Sequence, residues 1–343
     1  MQKGVKTIEK KVTIYTLAEE LGMTPSMVSR ALNPNGKVNE EKRQRVLKAA
    51  KKYNFMPNRM ASRLSMRTIK IGVIINSQFK PITDDMKAGI EAAYHELKDY
   101  KIEYELVETN NDFTAIENAI KRFNPFDGII VSGLSSNRYT KLFKKIKNKN
   151  LVQMQNTNED VDYLFSTGYD MALASDISAE FLSKCLLFSK NKNIALLTGS
   201  MESSVHKHAK EAFLKSAGEN GLNIVKCIDM NDTEEMLIKK LPEVFSDDEI
   251  NGVYITSGVS LSLCEYVKSH KINIPIVTFD VYKELNEYIK DNTVSATVFQ
   301  NAKAQAKTAF ERLAYYIINN EVPQKNIYTS VQLVMKSNLR LYE

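Results

Sequence analysis

From Ile69 onward, short apolar stretches that suit buried strands alternate with longer amphipathic stretches that suit helices. One cycle begins at KIGVII and a second begins at NIALLTGS. Alternation of this kind predicts parallel sheets covered by helices, here in two successive lobes. We therefore predict an α/β core over residues 69–343, with one lobe at about 69–168 and 301–328 and the other at about 169–298 and 329–343.

The predicted strands end in polar loops. Ligands of parallel sheets bind beyond the carboxyl ends of the strands. The loops at those ends, such as VSGL, QNTN and ITSG, are rich in Ser, Thr, Asn and Gln. Such side chains suit a neutral ligand with many hydroxyl groups. Each loop would be equally polar as an ordinary turn that faces solvent, and that alternative stays open.

The first 56 residues have a different pattern, which predicts three short helices. Thr13 can cap the first helix, and Gly22 can end it. Thr24 and Pro25 suit the cap and the first position of the second helix, and Asn39 can cap the third. The predicted buried stripe of the third helix is Val46, Leu47, Ala50 and Tyr53.

Two helices joined by a three-residue turn and braced by a third form a helix-turn-helix unit. In the second helix, Val28 and Leu32 are predicted to face inward. The side chains predicted to face outward are Ser26, Ser29, Arg30 and Asn33. A short polar face lets the helix backbone approach base edges in the major groove, and Arg30 is long enough to reach a guanine or a phosphate. This pattern predicts DNA binding; the alternative is a small helical subdomain with a polar surface.

The distribution of charge favours DNA binding. Residues 1–70 contain 16 Lys or Arg and 5 Asp or Glu, a net charge of +11. The remaining residues contain 31 basic and 36 acidic groups, a net charge of −5. A basic head on a mildly acidic body is typical of a protein whose head alone contacts a polyanion.

The stretch from Val12 to Leu64 combines the motifs VSRALN and PNRMASRL and is followed by a KIGVI strand. It resembles the DNA-binding head and hinge of the LacI/GalR family of bacterial transcription regulators. More weakly, the chain is similar to the sugar-binding core of that family as far as Leu339. The resemblance implies an all-α helix-turn-helix domain at 1–56, a hinge helix at 57–68, and a two-lobed core of the periplasmic-binding-protein type at 69–343.

The resemblance also implies which residues contact DNA. Base-edge contacts are implied for Pro25, Ser26 and Arg30. Contacts to the DNA backbone are implied for Tyr15, Thr24, Ser29, Asn33, Asn39 and Asn58. Two hinge helices, one from each subunit, are expected to pair in the minor groove and insert Leu64 between base pairs, with Arg59 and Ala61 beside it. A helix of fewer than three turns is mostly unfolded in water, so its formation would depend on DNA and a partner.

Candidate effector-binding residues come from the polar loops and from the resemblance. The loops supply Gln78, Ser132 and Ser257. The resemblance implies ligand contacts from Asn156, Lys207, Asp280 and Gln300. Lys207 stands where an arginine is usual and cannot form the same bidentate contact. Thr256-Ser257-Gly258 replaces the usual Ala-Asn-Asp. A sugar is therefore the first expectation for the effector, with a sugar phosphate or another anionic metabolite as the alternative.

Other functional classes lack support in the sequence. It contains no GxSxG, P-loop or GxGxxG motif, and its histidines and three cysteines do not have metal-ligand spacing. We therefore expect no catalytic site, cofactor or metal. The apolar runs are too short to cross a membrane and the N-terminus lacks a secretory signal, which favours the cytoplasm.

The sequence thus predicts a homodimeric transcription regulator, acting as a repressor, that binds a near-palindromic double-stranded DNA operator under the control of a small molecule. Two alternatives stay open. A solute-binding protein would need only the predicted core, and the basic head counts against it. A global regulator of the same fold would respond to a protein corepressor instead of a sugar.

Overall fold

The computed structural model describes residues 13–32, 36–53, 55, 67–77, 79–134, 136–155, 157–246 and 249–342. The chain divides into two compact units, Met1–Arg67 and Thr68–Glu343. Some predicted site residues lie outside the described residues: Asn33, Asn58, Arg59, Ala61, Leu64, Gln78 and Asn156.

The first unit contains three helices: α1 (Ile14–Leu21), α2 (Pro25–Leu32) and α3 (Glu40–Lys52). Each helix contributes one fully buried side chain to a common core, namely Leu17, Val28 and Val46. The predicted stripe of α3 was wrong at Leu47, which is 42% exposed. Leu47 is one residue, about 100° of helix rotation, beyond Val46, whereas the buried residues Ala49 and Ala50 lie one turn further along the same face.

The second unit contains two sheets, each with helices on its faces. The strands of the first sheet are β1 (Ile69–Ile75), β2 (Ile102–Glu108), β3 (Gly128–Ser132), β4 (Leu151–Met154), β5 (Phe165–Tyr169) and β11 (Asn326–Thr329). Its order is β11-β5-β4-β3-β1-β2, and every neighbouring pair is parallel. Its helices are α4 (Lys80–Glu96), α5 (Phe113–Phe123), α6 (Thr140–Phe143) and α12 (Ala302–Asn319), and a 3-10 turn at Asn137–Tyr139 precedes α6.

The strands of the second sheet are β6 (Asn193–Thr198), β7 (Asn223–Asp229), β8 (Gly252–Ile255), β9 (Ile276–Phe279), β10 (Ala296–Phe299) and β12 (Gln332–Val334). Its order is β12-β10-β9-β8-β6-β7, and only the pair of β10 with β12 is antiparallel. Its helices are α7 (Met171–Cys185), α8 (Ser204–Glu219), α9 (Glu234–Val244), α10 (Leu261–Ser269) and α11 (Lys283–Lys290). A 3-10 turn at Leu339–Leu341 follows β12.

The chain passes between the two sheets after β5, after β10 and after β11. Helix α12 follows β10 of the second sheet but packs its buried residues Ala306, Phe310 and Leu313 into the core of the first. The predicted two-lobed α/β core with parallel sheets is confirmed, with β12 as the antiparallel exception. Within the described part of the chain, every helix is too short or too polar to cross a bilayer.

Candidate functional site

The turn between α1 and α2 is built by Gly22 and Thr24. Gly22 adopts a left-handed conformation, with φ of 62°, and its N–H bonds the carbonyl oxygens of Ala18 and Glu19. Thr24 Oγ1 accepts a hydrogen bond of 3.2 Å from the N–H of Met27, and Pro25 is the first residue of α2. A side-chain cap and an early proline both favour a helix that begins at this point. The start of α2 is therefore fixed by its own sequence.

The outward face of α2 carries small polar groups and one cation. Ser26, Ser29 and Arg30 are exposed, whereas Val28 and Ala31 are buried. Arg30 Nη2 donates a hydrogen bond of 3.1 Å to Ser26 Oγ, so the guanidinium lies along the helix surface. A helix with such a face fits the major groove of DNA, which is about 12 Å wide.

Other predicted DNA contacts surround α2. Tyr15 in the first turn of α1 is 71% exposed, and Thr24 and Asn39 are also exposed. Asn39 Oδ1 accepts a hydrogen bond of 2.8 Å from the N–H of Glu41 and caps α3. Pro25 is half-buried.

Arg43 is a structural residue of this unit that the sequence reasoning missed. Its Nη1 donates to the carbonyl oxygen of Ala31 at 3.1 Å, and its Nη2 donates to that of Gly36 at 2.6 Å. Arg43 thus ties α3 to the last turn of α2 and to the segment that precedes Asn39. The sequence gives no signal for this role, because basic residues occur all along α3.

In the second unit, two predicted effector residues are adjacent and buried. Asp280 and Gln300 are 6% and 8% exposed. Gln300 Nε2 donates a hydrogen bond of 2.9 Å to Asp280 Oδ1, and Gln305 Nε2 donates to the Gln300 carbonyl oxygen at 2.8 Å. Burial raises the pKa of Asp280 to about 7; the Gln300 bond opposes this shift, and the charge of Asp85 in the first lobe adds to it.

An aromatic side chain of the first lobe lies against this pair. A Cβ atom added to Gly258 would come within 2.5 Å of Phe79 Cε1 and 3.2 Å of Asp280 Oδ2. The Phe79 ring also packs edge-on against Tyr282, with 5.2 Å between ring centroids. Tyr282 Oη donates to the Gly258 carbonyl oxygen at 2.9 Å. Phe79 therefore fills the space that an ordinary side chain at position 258 would occupy.

The predicted effector residues Ser132 and Ser257 are buried and already bonded. Ser132 Oγ donates to Gln155 Oε1 at 2.9 Å. Ser257 Oγ accepts a bond of 3.2 Å from the N–H of Val259, and its side chain also bonds Asp232. These two serines lie at or just beyond the ends of strands of different sheets and are therefore in separate lobes.

An open cleft of about 680 Å³ lies between the lobes. We name it the outer cleft; its lining residues are Ser136, Asn137, Arg138, Ser200, Met201, Glu202, Lys207, Asp229, Asn231 and Met236. Of the predicted effector residues that the structure describes, Lys207 alone lines it. Arg138 comes from the first lobe and Lys207 from α8 of the second, so the two lobes each supply a cation.

A partly buried contact between a histidine and an aspartate supports the second-lobe wall of the outer cleft. His206 Nε2 lies 2.9 Å from Asp232 Oδ2, which also accepts a bond of 3.0 Å from the N–H of Ser200. Burial alone would raise the pKa of Asp232, but its bonds to His206, Ser200 and Ser257 hold that pKa below its ordinary value. The described residues contain no cluster of three side chains suited to a metal ion.

Comparison with known proteins matches both units. Residues 13–58 match the family of bacterial regulatory proteins, lacI family, and residues 71–321 match the periplasmic binding protein domain. The HTH-type transcriptional regulator pepR1 of Lactobacillus delbrueckii subsp. lactis is 27% identical over 269 residues, 74% of each chain. Catabolite control protein A of Staphylococcus aureus is 27% identical over 222 residues, which span 62% of this chain and 63% of that relative.

Solved structures share the fold of the second unit. An ABC transporter solute-binding protein from Burkholderia graminis in complex with D-arabinose has a TM-score of 0.71 at 18% identity, covering 80% of this chain and 98% of that one. A protein from Bacteroides fragilis that was assigned as a LacI transcriptional regulator has a TM-score of 0.68 at 16% identity, covering 81% of this chain and 100% of that one. At these identities the likeness concerns the fold alone.

Proposed function

Because the chain belongs to the lacI family of bacterial regulatory proteins and is a DNA-binding transcription regulator, we propose that it represses its target genes as a homodimer. Each α2 helix reads one half of a near-palindromic operator. The observation that carries this proposal is the exposed face of Ser26, Ser29 and Arg30 at the start of a helix whose other side is buried. Its place of action is then the cytoplasm, where bacterial operators are found.

The second unit is the control element in this proposal. Its two lobes border an open cleft of a size that suits a small molecule. A ligand that binds the closed lobes more tightly than the open lobes shifts the balance between them. We propose that a sugar or a sugar derivative is this ligand, and that the shift changes the affinity of the dimer for its operator.

Selection of operator sequences from random DNA, followed by binding titrations of the full chain, tests the proposal. We expect a two-fold related site and an affinity that falls steeply with salt concentration, because several phosphates are contacted. We also expect at least one sugar or sugar derivative to change the operator affinity.

A solute-binding protein would give a different result. It would bind small molecules but would select no DNA sequence, and the second unit alone would bind as well as the full chain. That result would refute the regulatory function of this chain. DNA binding that no small molecule changes would refute only the proposed control by an effector.

A further inference from the structure

The place where the resemblance implies a sugar contact is occupied by the protein itself. Asp280 and Gln300 are bonded to each other, and the Phe79 ring reaches to within 2.5 Å of a Cβ position on Gly258 beside them. Phe79 packs against the cores of both lobes. A ligand could reach Asp280 in this arrangement only if Phe79 moved. The outer cleft, in contrast, is open without any such movement.

Two cations, Arg138 and Lys207, line the outer cleft. Neither Arg138 nor Lys207 forms an ion pair with a carboxylate of the described residues. The Arg138 guanidinium lies 4.5 Å from the centroid of the Tyr139 ring and 5.8 Å from that of Phe113, and it bonds the Tyr139 hydroxyl. Aromatic rings fix the position of the guanidinium but do not neutralise it.

Two serines lie close to these cations in the sequence. Ser136 lines the outer cleft, and its Oγ is buried with no hydrogen-bond partner among the described residues. Ser203, the cap residue of the 16-residue helix α8, makes no side-chain bond to the first turn of that helix. The N–H groups of a first turn and the helix dipole both favour a negative charge nearby.

The two acidic residues of the outer cleft do not cancel the cations. Asp229 accepts bonds from the N–H groups of Met201 at 3.2 Å and Asn231 at 2.7 Å, so its charge is stabilised within its own loop. Glu202 is exposed to solvent, where water screens its charge. Arg138 and Lys207 therefore stay available to an anion.

From this arrangement we infer that the effector binds in the outer cleft and is a phosphate ester, whose phosphate is held between Arg138 of the first lobe and Lys207 of the second. Charge-assisted hydrogen bonds to phosphate are strong, and arginine can form two of them at once. An anion that bridges the lobes also stabilises their closed arrangement. The inference rests on the proposed function and specifies the ligand class of that regulator.

Binding measurements on the full chain test the inference with ribose 5-phosphate and glucose 6-phosphate as probes, against ribose, glucose and inorganic phosphate. We expect calorimetry and thermal-shift assays to detect a phosphate ester and not its parent sugar. Lys207→Gln and Arg138→Gln should each weaken that binding by about tenfold or more, because each removes one charged contact. Lys215→Gln is the control, since Lys215 lies on the same helix with a side chain 79% exposed.

A further variant tests the location. Asp280→Asn should leave the affinity for the phosphate ester within about twofold. A tenfold loss from Asp280→Asn, with no loss from Lys207→Gln, would place the ligand behind Phe79 and overturn the inference. Binding of a parent sugar alone would overturn it too, while leaving the proposed effector control intact. Binding of inorganic phosphate as tight as that of either ester would show an unspecific anion site and overturn it.

Discussion

Arg30 is the residue of the first unit best placed to distinguish bases. It is exposed at the outward face of α2, and its bond to Ser26 Oγ leaves other guanidinium N–H groups free to donate. An arginine that donates twice to a guanine is the commonest specific contact in the major groove. Its contribution should therefore depend on one base pair.

We expect Arg30→Ala to cost about 1–3 kcal/mol of discrimination at one base pair of each half-site. Titrations against a set of single-base operator variants measure this cost. The control is Lys215→Ala, which removes one positive charge from the second unit. An equal loss on every operator variant would mean that Arg30 contacts phosphate instead of a base.

The Phe79 ring leaves no room for a side chain at Gly258. A Cβ atom there would lie 2.5 Å and 2.9 Å from two carbon atoms of the Phe79 ring, closer than such atoms approach. Gly258→Ala should therefore displace Phe79 and lower the free energy of unfolding of the second unit by about 1–3 kcal/mol.

The double variant Gly258→Ala with Phe79→Ala tests whether the Phe79 ring causes the loss of stability in Gly258→Ala. With the ring removed, the added methyl group has room, so urea unfolding should show less than the sum of the two single losses. Gly218→Ala is the control, because nothing lies within 4 Å of a Cβ atom at that position. Additive losses at positions 258 and 79 would contradict the packing explanation.

Helix α2 depends on α3 for its support. Arg43 of α3 bonds carbonyl oxygens in the last turn of α2 and at Gly36. Carbonyl groups at the end of a helix have no partner within that helix, so a cation that bonds them stabilises the end. The orientation of α2 should therefore depend on Arg43 as well as on the residues of α2.

Arg43→Met keeps most of the aliphatic part of the side chain and removes these bonds. We expect the free energy of unfolding of the first unit to fall by about 1–3 kcal/mol, with weaker binding to every operator sequence. Arg45→Met is the matched control, because the bond of Arg45 to the Leu21 carbonyl oxygen is long, at 3.4 Å. Circular dichroism and operator titrations measure both effects, and equal losses from the two variants would contradict the role of Arg43.

The helices and strands were largely predictable, because the residues that mark them are close together in the sequence. Thr13, Gly22, Thr24 and Asn39 mark helix ends in the sequence, and the structure uses each of them as predicted. The alternation of strands and helices likewise predicted two parallel sheets. Phe79 was not predictable as a neighbour of Gly258, because that contact joins distant parts of the chain and depends on how the lobes meet. The roles of the site residues in binding DNA and ligand stay predictions.

In the second unit, the residues packed around Asp280 form an unfavourable environment for a charge. Burial raises its pKa to about 7, and the negative charge of Asp85 from the other lobe adds to that shift, against the Gln300 bond. The folded state therefore binds a proton at Asp280 more tightly than the unfolded state does. Between the ordinary pKa of an aspartate and about 7, the folded protein holds more protons, so its stability falls as the pH rises.

We expect the free energy of unfolding of the second unit to fall by up to about 1.4 kcal/mol per pH unit between pH 5 and 7 from this group, and to lose this dependence above about pH 7. Urea unfolding at a series of pH values measures the slope. Asp280→Asn, which keeps the shape but cannot ionise, should remove this contribution. Asp127→Asn is the control, because this aspartate bonds the N–H of Lys70 far from the cleft, and it should leave the pH dependence unchanged.

Because opening the lobes would hydrate Asp280, the same proton also favours the closed arrangement. A slope unchanged by Asp280→Asn would show that the carboxylate is already hydrated and that the lobes in solution are open.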